Sequence, residues 1–462
     1  MITLNRRQFL ATSAAFSGLS ASTGFAGTPF ATLTAQQSDV QLLPGDYGKT
    51  SLWCFDGGSP GPEIRVAQGG RVQRRLVNRF SQGTSTHWHG IRIDNAMDGV
   101  SGLTQDAVQP EETFDYDFTV PDAGTYWYHA HNRSFEQVGR GLYGALIVEE
   151  AEPLDIDREE VLILDDWLID PETAQIKDDF GASHDLSHAG RIGNLLTTNG
   201  TFNLGLRARK NERLRLRLIN AANARNFQLG LEGLDGWVGA LDGMPLTAPV
   251  KVTEAMILAP AQRIDLIVDV VADVGEAAHI LQFGREEAFS QVAFEVVEGG
   301  TTNRRDAPLA LPPNDHRMVD LKEATTLSLS MEGGAMGRMR SASLGGELKP
   351  IGEIVEAGYF WSFNGRVDGI NGDPLARLDR GQNVRLKMVN DTAFPHAMHL
   401  HGIHFHEVAE NGTLGPLRDT TLLERGQTRE IAFVADNPGQ WLLHCHMLSH
   451  AASGMMTKIV VG

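Results

Sequence analysis

The chain is poor in cysteine, in basic residues and in long apolar runs, and each shortage excludes something. Only Cys54 and Cys445 are cysteines among 462 residues, too few for a disulfide scaffold. Lys and Arg number 40 against 58 Asp and Glu, for a formal net charge of −18. Nucleic acid is therefore not an expected partner. Beyond the N-terminus no apolar run is long enough to span a bilayer, so no membrane span is expected. Helical periodicity is scarce too. In its place stand short alternating runs bounded by Gly, Pro, Asn and Asp, which predict an all-β chain of sandwiches or barrels. At about 150 residues per domain the length predicts roughly three domains.

The first residues, MITLNRRQFLATSAAFSGLSASTGFAG, place Arg6 and Arg7 ahead of Phe9, Leu10 and a weakly apolar stretch without acidic residues. This resembles a twin-arginine export signal, with cleavage near Ala26, or at Ala31 or Ala35. Residues 1–31 are read as signal peptide and leader, the twin-arginine export machinery as a partner and the periplasm as the destination. Cys54, in SLWCFDG, reads as a small buried hydrophobe.

Three runs share one pattern. GGRVQRRLVN ends at Asn78, KNERLRLRLIN at Asn220 and GQNVRLKMVN at Asn390, each an alternating strand closing on an Asn that starts a turn. Nine and eleven residues past Asn78 stand His87 and His89; the same steps from Asn390 reach His399 and His401, and from Asn220 Leu229 and Leu231. A second comparison agrees. His129 and His131 follow Gly124 in GTYWYHAH as His444 and His446 follow Gly439 in GQWLLHCH, whereas Gly275 is followed by Ile280 and Gln282. Domains are expected at 32–152, 153–305 and 306–462, the outer two bearing metal and the middle one a spacer.

Residues i and i+2 of a strand share a face, so each His-x-His pair presents two imidazoles side by side. Four pairs offer eight nitrogen ligands, which three copper ions would use completely, two with three His each and one with two. Imidazole also suits zinc, iron and nickel. Cys445 narrows the choice. It must point away from His444 and His446, toward a face where His396, His450 and Met455 can join it, and two His, one Cys and a weak axial Met are the ligands of a blue electron-transfer copper. An electron accepted there passes through the Cys445 backbone into His444 and His446.

At HWHG, WYHAH, HAMHLHG and HCHMLSHAASGM the chain resembles the multicopper oxidases, the family of laccases and bacterial copper-efflux oxidases, from about residue 45 to the C-terminus. The resemblance implies an all-β fold of three cupredoxin-like Greek-key β-sandwich domains and four copper ions. His87 and His399 would hold the type 2 copper; His89, His129, His131, His401, His444 and His446 the type 3 pair; His396, Cys445 and His450 the type 1 copper, with Met455 axial. It implies four one-electron oxidations of a reductant, a phenol or aromatic amine, with dioxygen reduced to water. Asp98, in HWHGIRIDNAMDG, matches an acidic residue that delivers protons to the cluster; a DG pair also makes turns. Ala397 stands where many members have Pro, and Ala451 where some metal-oxidising members carry an acid linked to proton supply.

Met331, Met336 and Met339, in LSMEGGAMGRM, open an alternative, since thioethers favour Cu(I): oxidation of Cu(I) or another metal ion in copper tolerance. Adaptable packing is the other reading of these methionines. Asp419, in LRDTTLL, is a candidate to orient a donor at the type 1 site. His184 and His188 read as a polar loop of the middle domain, with surface metal binding as the lesser reading, His404 and His406 as packing or hydrogen-bonding groups, and His279 and His316 as unsupported by sequence partners. A copper-free septal scaffold of the same fold is the rival of another class. The complete set of ten histidines, Cys445 and Met455 weighs against it.

Overall fold

A computed structural model describes residues 30–301 and 303–462. Of the expected leader, residues 1–29 lie outside the described residues. The strand Ala31–Val40 buries Leu33 and Ala35 and pairs with Thr50–Phe55 and Arg71–Asn78. Cleavage at Ala35 would cut into a sheet; cleavage at Ala26 leaves it whole.

Six sheets pack in pairs into three cupredoxin-like β-sandwiches. In the first unit, strands Thr50–Phe55, Ala31–Val40, Arg71–Asn78 and Thr113–Thr119 face Ile64–Ala67, Tyr143–Glu149, Gly124–Ala130 and Thr86–His89. In the third, a six-stranded sheet built around Thr325–Gly333, Gln382–Asn390 and Thr428–Ala435 faces Ala376–Leu378, Met456–Val461, Gly439–Cys445, His396–Leu400 and Thr420–Leu423. The middle unit sets a six-stranded sheet around Arg158–Trp167, Arg213–Asn220 and Arg263–Val270 against a five-stranded one. No helix among the described residues is long and apolar enough to cross a membrane.

The asparagines that end the three related strands do one job three times. Asn78 accepts from the Phe80 backbone N–H and donates to the carbonyls of Gln82 and Val108. Asn220 accepts from Ala222 N–H and donates to Arg225 and Leu258, and Asn390 accepts from Thr392 N–H and donates to Phe394 and Leu423. Each buried amide thus ties the turn leaving its strand to a neighbouring segment, with both its polar ends satisfied. The knot fixes where the next strand begins, which is why the count to the His-x-His pairs is constant.

Alternation in Arg213–Asn220 also has a use on each side. Leu214, Leu216 and Leu218 fill the middle core, while Arg213, Arg215 and Arg217 are equally buried on the other face. There Arg213 pairs with Asp269, Arg215 with Asp265 and Glu150, and Arg217 with Glu159 and the Thr125 hydroxyl of the first unit. Burying an unpaired guanidinium would be prohibitive; Asp269, Asp265 and Glu159 of the middle unit pair the row, and Glu150 and Thr125 tie it to the first unit.

Candidate metal centre

Strand pairing sets the imidazoles. His87 lies opposite His129, and in the third unit His399 lies opposite His444. The two units face each other, so that His87 stacks on His401 at 3.9 Å between ring centroids and His89 on His399 at 3.7 Å. His131 sits 5.2 Å from His401, and His446 5.1 Å from His89. The structure thus brings the eight imidazoles singled out in the sequence into one cluster between the outer units, all of them buried.

Their hydrogen bonds fix which nitrogens face inward. The Nδ1–H groups of His87 and His399 donate to the backbone carbonyls of Asp98 (2.7 Å) and Asp419 (2.9 Å), and those of His129 and His444 to Ala130 (3.1 Å) and Cys445 (3.0 Å). That leaves Nε2 of His87, His129, His131 and His399, Nδ1 of His89 and both nitrogens of His446 buried without partners. His401 Nε2 and His444 Nε2 face one another at 3.1 Å, while the Nδ1 of each is already engaged by the Asp98 carboxylate and the Cys445 carbonyl. Two lone pairs aimed at each other at that distance call for a cation between them. Orphaned buried nitrogens are costly, and so many around one space fit a set of metal ions. Burial, then the neighbouring imidazoles, holds His129, His401, His444 and His446 well below the ordinary range and His131 at about 3. These five are therefore held in the neutral form, the one that binds metal.

On the opposite face of the Cys445 strand, Cys445 Sγ lies 3.6 Å from His396 Nδ1 and 3.7 Å from His450 Nδ1, with the two nitrogens 3.1 Å apart. The centre of that triangle is about 2.0 Å from each corner, close to a metal–nitrogen bond. The far nitrogens are pinned: His396 Nε2 bonds Thr392 Oγ1 at 2.8 Å and His450 Nε2 donates to the His188 carbonyl at 2.7 Å. Such outer bonds fix ring orientation and leave Nδ1 for a metal. Met455 is fully buried and its carbonyl accepts from Cys445 N–H. Burial pushes the Cys445 thiol up to about 12, so a cation must displace its proton.

Two carboxylates link the stacked pairs in a near two-fold pattern. Asp98 offers its carbonyl to His87 and its carboxylate to His401 (3.1 Å); Asp419 offers its carbonyl to His399 and its carboxylate to His89 (3.2 Å). Gly99 makes the turn, with φ +80°, and Asp98 is fully buried beside the cluster. The Asp419 expectation is corrected. This residue is buried at the eight-histidine cluster rather than placed at the type 1 site, and Arg263 from the middle unit grips it at 2.9 and 2.6 Å. Burial alone would raise the Asp419 carboxyl, but Arg263 and then His89 hold it well below the usual carboxylate range. Arg263 also donates to the carbonyls of Thr125 and Asp242, so it touches all three units. The middle unit is thus more than a spacer. Nothing in PAQRIDL marks this arginine in the sequence.

The methionine segment does not gather. Met331 is fully buried in the core among Leu329, Trp361 and Phe363, whereas Met336 is 79% exposed and Met339 packs near Ala342 and Ile354. Met331 is corrected from candidate ligand to core residue, because its strand turns it inward. His404 packs against His316, His406 Nδ1 donates to the Gly415 carbonyl, His279 bonds Ser290, and Cys54 is buried. A cavity of about 160 Å³ opens onto His131 and His444, with Val100, Leu442, Leu448 and Ala451 in its lining.

Three sandwiches, a Cys-His-His site and an eight-histidine cluster joined by one segment define a copper protein of cupredoxin type. Three multicopper oxidase family profiles match residues 36–153, 158–292 and 348–462. Lac15 from a marine microbial metagenome superposes with a TM-score of 0.77 at 40% identity, over 94% of this chain and 100% of that one. The multi-copper oxidase of Pseudomonas thermotolerans gives 0.80 at 32% identity, over 93% and 98%. Multicopper oxidase MmcO of Mycobacterium tuberculosis is 29% identical over 464 residues, 94% of this chain and 87% of its own. The chain belongs to the multicopper oxidase family, and is an oxidoreductase that uses copper and dioxygen.

Proposed function

We propose that the protein is a laccase-like member, with four coppers: type 1 at His396, Cys445, His450 and Met455, type 2 at His87 and His399, and a type 3 pair at the other six histidines. When bound, these ions supply the redox chemistry, taking single electrons from a phenol or aromatic amine and passing four of them to dioxygen to give water. One observation carries the reading. Cys445 and the flanking His444 and His446 occupy three consecutive positions of one segment whose two faces serve the two sites. A covalent path therefore joins electron uptake to the cluster.

The chain's residues do the remaining work. Thr392 and the His188 carbonyl hold the type 1 imidazoles in one tautomer. Asp98 hands protons toward the cluster in this reading, which is supported by one carboxylate oxygen on His401 and the other free of hydrogen bonds, 3.3 Å from His87 Nδ1. The cavity over His131 and His444 gives dioxygen a path, and Ala451 leaves no acid in it. The dispersal of Met331, Met336 and Met339 disfavours Cu(I) as the reductant. A twin-arginine leader with periplasmic delivery completes the reading.

The test is dioxygen uptake by the copper-loaded protein, with dimethoxyphenol and buffered Cu(I) offered separately. Rapid uptake with the phenol supports the laccase-like reading; uptake with Cu(I) alone refutes it in favour of metal oxidation. Copper analysis should return four ions per chain, and Cys445→Ser should return three and lose the blue absorption.

A further inference from the structure

The type 1 site is roofed by the middle unit. His450 is fully buried, and its outward nitrogen is spent on the His188 carbonyl at 2.7 Å. The segment carrying His188 is fastened to the third unit by three successive carbonyls. Leu186 accepts from Trp361 Nε1 (2.6 Å) and Ser453 Oγ (3.1 Å), Ser187 from Ala335 N–H (2.7 Å), and His188 from His450. Trp361 covers the ligands from beside this segment, 4.4 Å from His450 and 5.1 Å from His396 between ring centroids. A reductant does not reach the His450 ring while this roof is in place.

Above the roof lies a flat surface. The His184 ring stacks on His188 with centroids 4.2 Å apart and planes 12° from parallel, and Phe394 stands edge-on 5.8 Å from His188. The His184 side chain is 76% exposed. Ser187 Oγ donates to the Ser183 carbonyl and so accepts from His188 Nδ1–H (3.0 Å), which leaves His188 Nε2 as an acceptor. Nearly parallel imidazoles do not aim two lone pairs at one ion, but they do offer a π face.

We propose that a planar phenol seats on the His184–His188 stack, and that its electron enters through the hydrogen bond between the His188 carbonyl and His450. The proposal rests on the laccase-like reading. In the step the phenol gives one electron to the type 1 site and its hydroxyl proton to solvent water, and leaves as a phenoxyl radical. The backbone carbonyl is present whatever side chain follows it, so the seat and the conduit are separately testable.

Dimethoxyphenol binding is measured by saturation-transfer NMR on dithionite-reduced holoenzyme under argon, where no turnover occurs, and KM is measured in air. His184→Ala should raise both Kd and KM about fivefold, the worth of one aromatic contact, and His184→Phe should restore them. The blue absorption and the rate with hexacyanoferrate(II), which needs no stacking seat, should not change. Unchanged Kd and KM in His184→Ala overturn the seat; a wild-type enzyme that ignores the phenol overturns the laccase-like reading itself. Gly190→Ala, whose Cβ would meet that of Ala224 at 2.5 Å, loosens the roof. A slower type 1 reduction by dimethoxyphenol is expected; a faster one would make the roof an obstruction and refute the conduit.

Discussion

Arg263 is the point at which removing one atom group should cost most. It is fully buried, comes from the middle unit, and meets the Asp419 carboxylate with two charge-assisted hydrogen bonds of 2.9 and 2.6 Å. Arg263→Met keeps much of the volume but strands a carboxylate left with only uncharged neighbours, Thr420 Oγ1 (2.8 Å), His89 (3.2 Å), His399 (3.5 Å) and His404 (3.9 Å). Breaking one side of such a pair costs about 3–5 kcal/mol, whereas neutralising both sides is often close to neutral. Guanidinium unfolding of the copper-free single and double variants, followed by tryptophan fluorescence, separates the two terms. Arg263→Met should fall by about 3–5 kcal/mol, and adding Asp419→Asn should recover most of the loss. If the second change gives no recovery, the stranded charge is not the cause and the electrostatic account fails.

Asp98→Asn preserves the shape beside His401 but carries no transferable proton, so reduction of dioxygen should slow about a hundredfold or more while the type 1 site is still reduced at the wild-type rate in stopped flow. Ala451→Leu fills the cavity over His131 and His444; KM for dioxygen should rise severalfold, with type 1 reduction unchanged. Burial holds His131 and His404 at about 3 and His450 at about 4, whereas the unfolded chain takes those protons near pH 6.5. The copper-free protein should therefore lose stability as the pH falls from about 6.5 toward 4, and His404→Gln should flatten the slope by about 1.4 kcal/mol per pH unit. A stability independent of pH across that window would show that these rings are not held neutral.

The parts legible in the sequence were those set by local geometry. Alternation along a strand put His87 with His89 and Cys445 opposite His444, and the Asn knot kept the count constant in all three units. What the sequence hid depends on contacts between distant segments. Arg263 and Asp419 are 156 residues apart, and RLRLRLIN reads as a half-exposed strand until a second unit closes over its arginines. The role of His188, read as part of a polar loop, was hidden for another reason: its backbone carbonyl bonds His450, and a carbonyl is carried by every residue. Met331 misled because thioether chemistry was visible while the inward turn of its strand was not.

The cluster draws His87, His89, His129 and His131 from one end of the chain and His399, His401, His444 and His446 from the other. Such a division makes metal loading a record of assembly. A polypeptide interrupted before His399 keeps only the first four ligands, and neither half of the chain offers enough nitrogens to hold the ions of the cluster. Filling of the cluster would thus come after the two ends have folded and met, whereas the site of His396, Cys445 and His450 lies within the third unit alone.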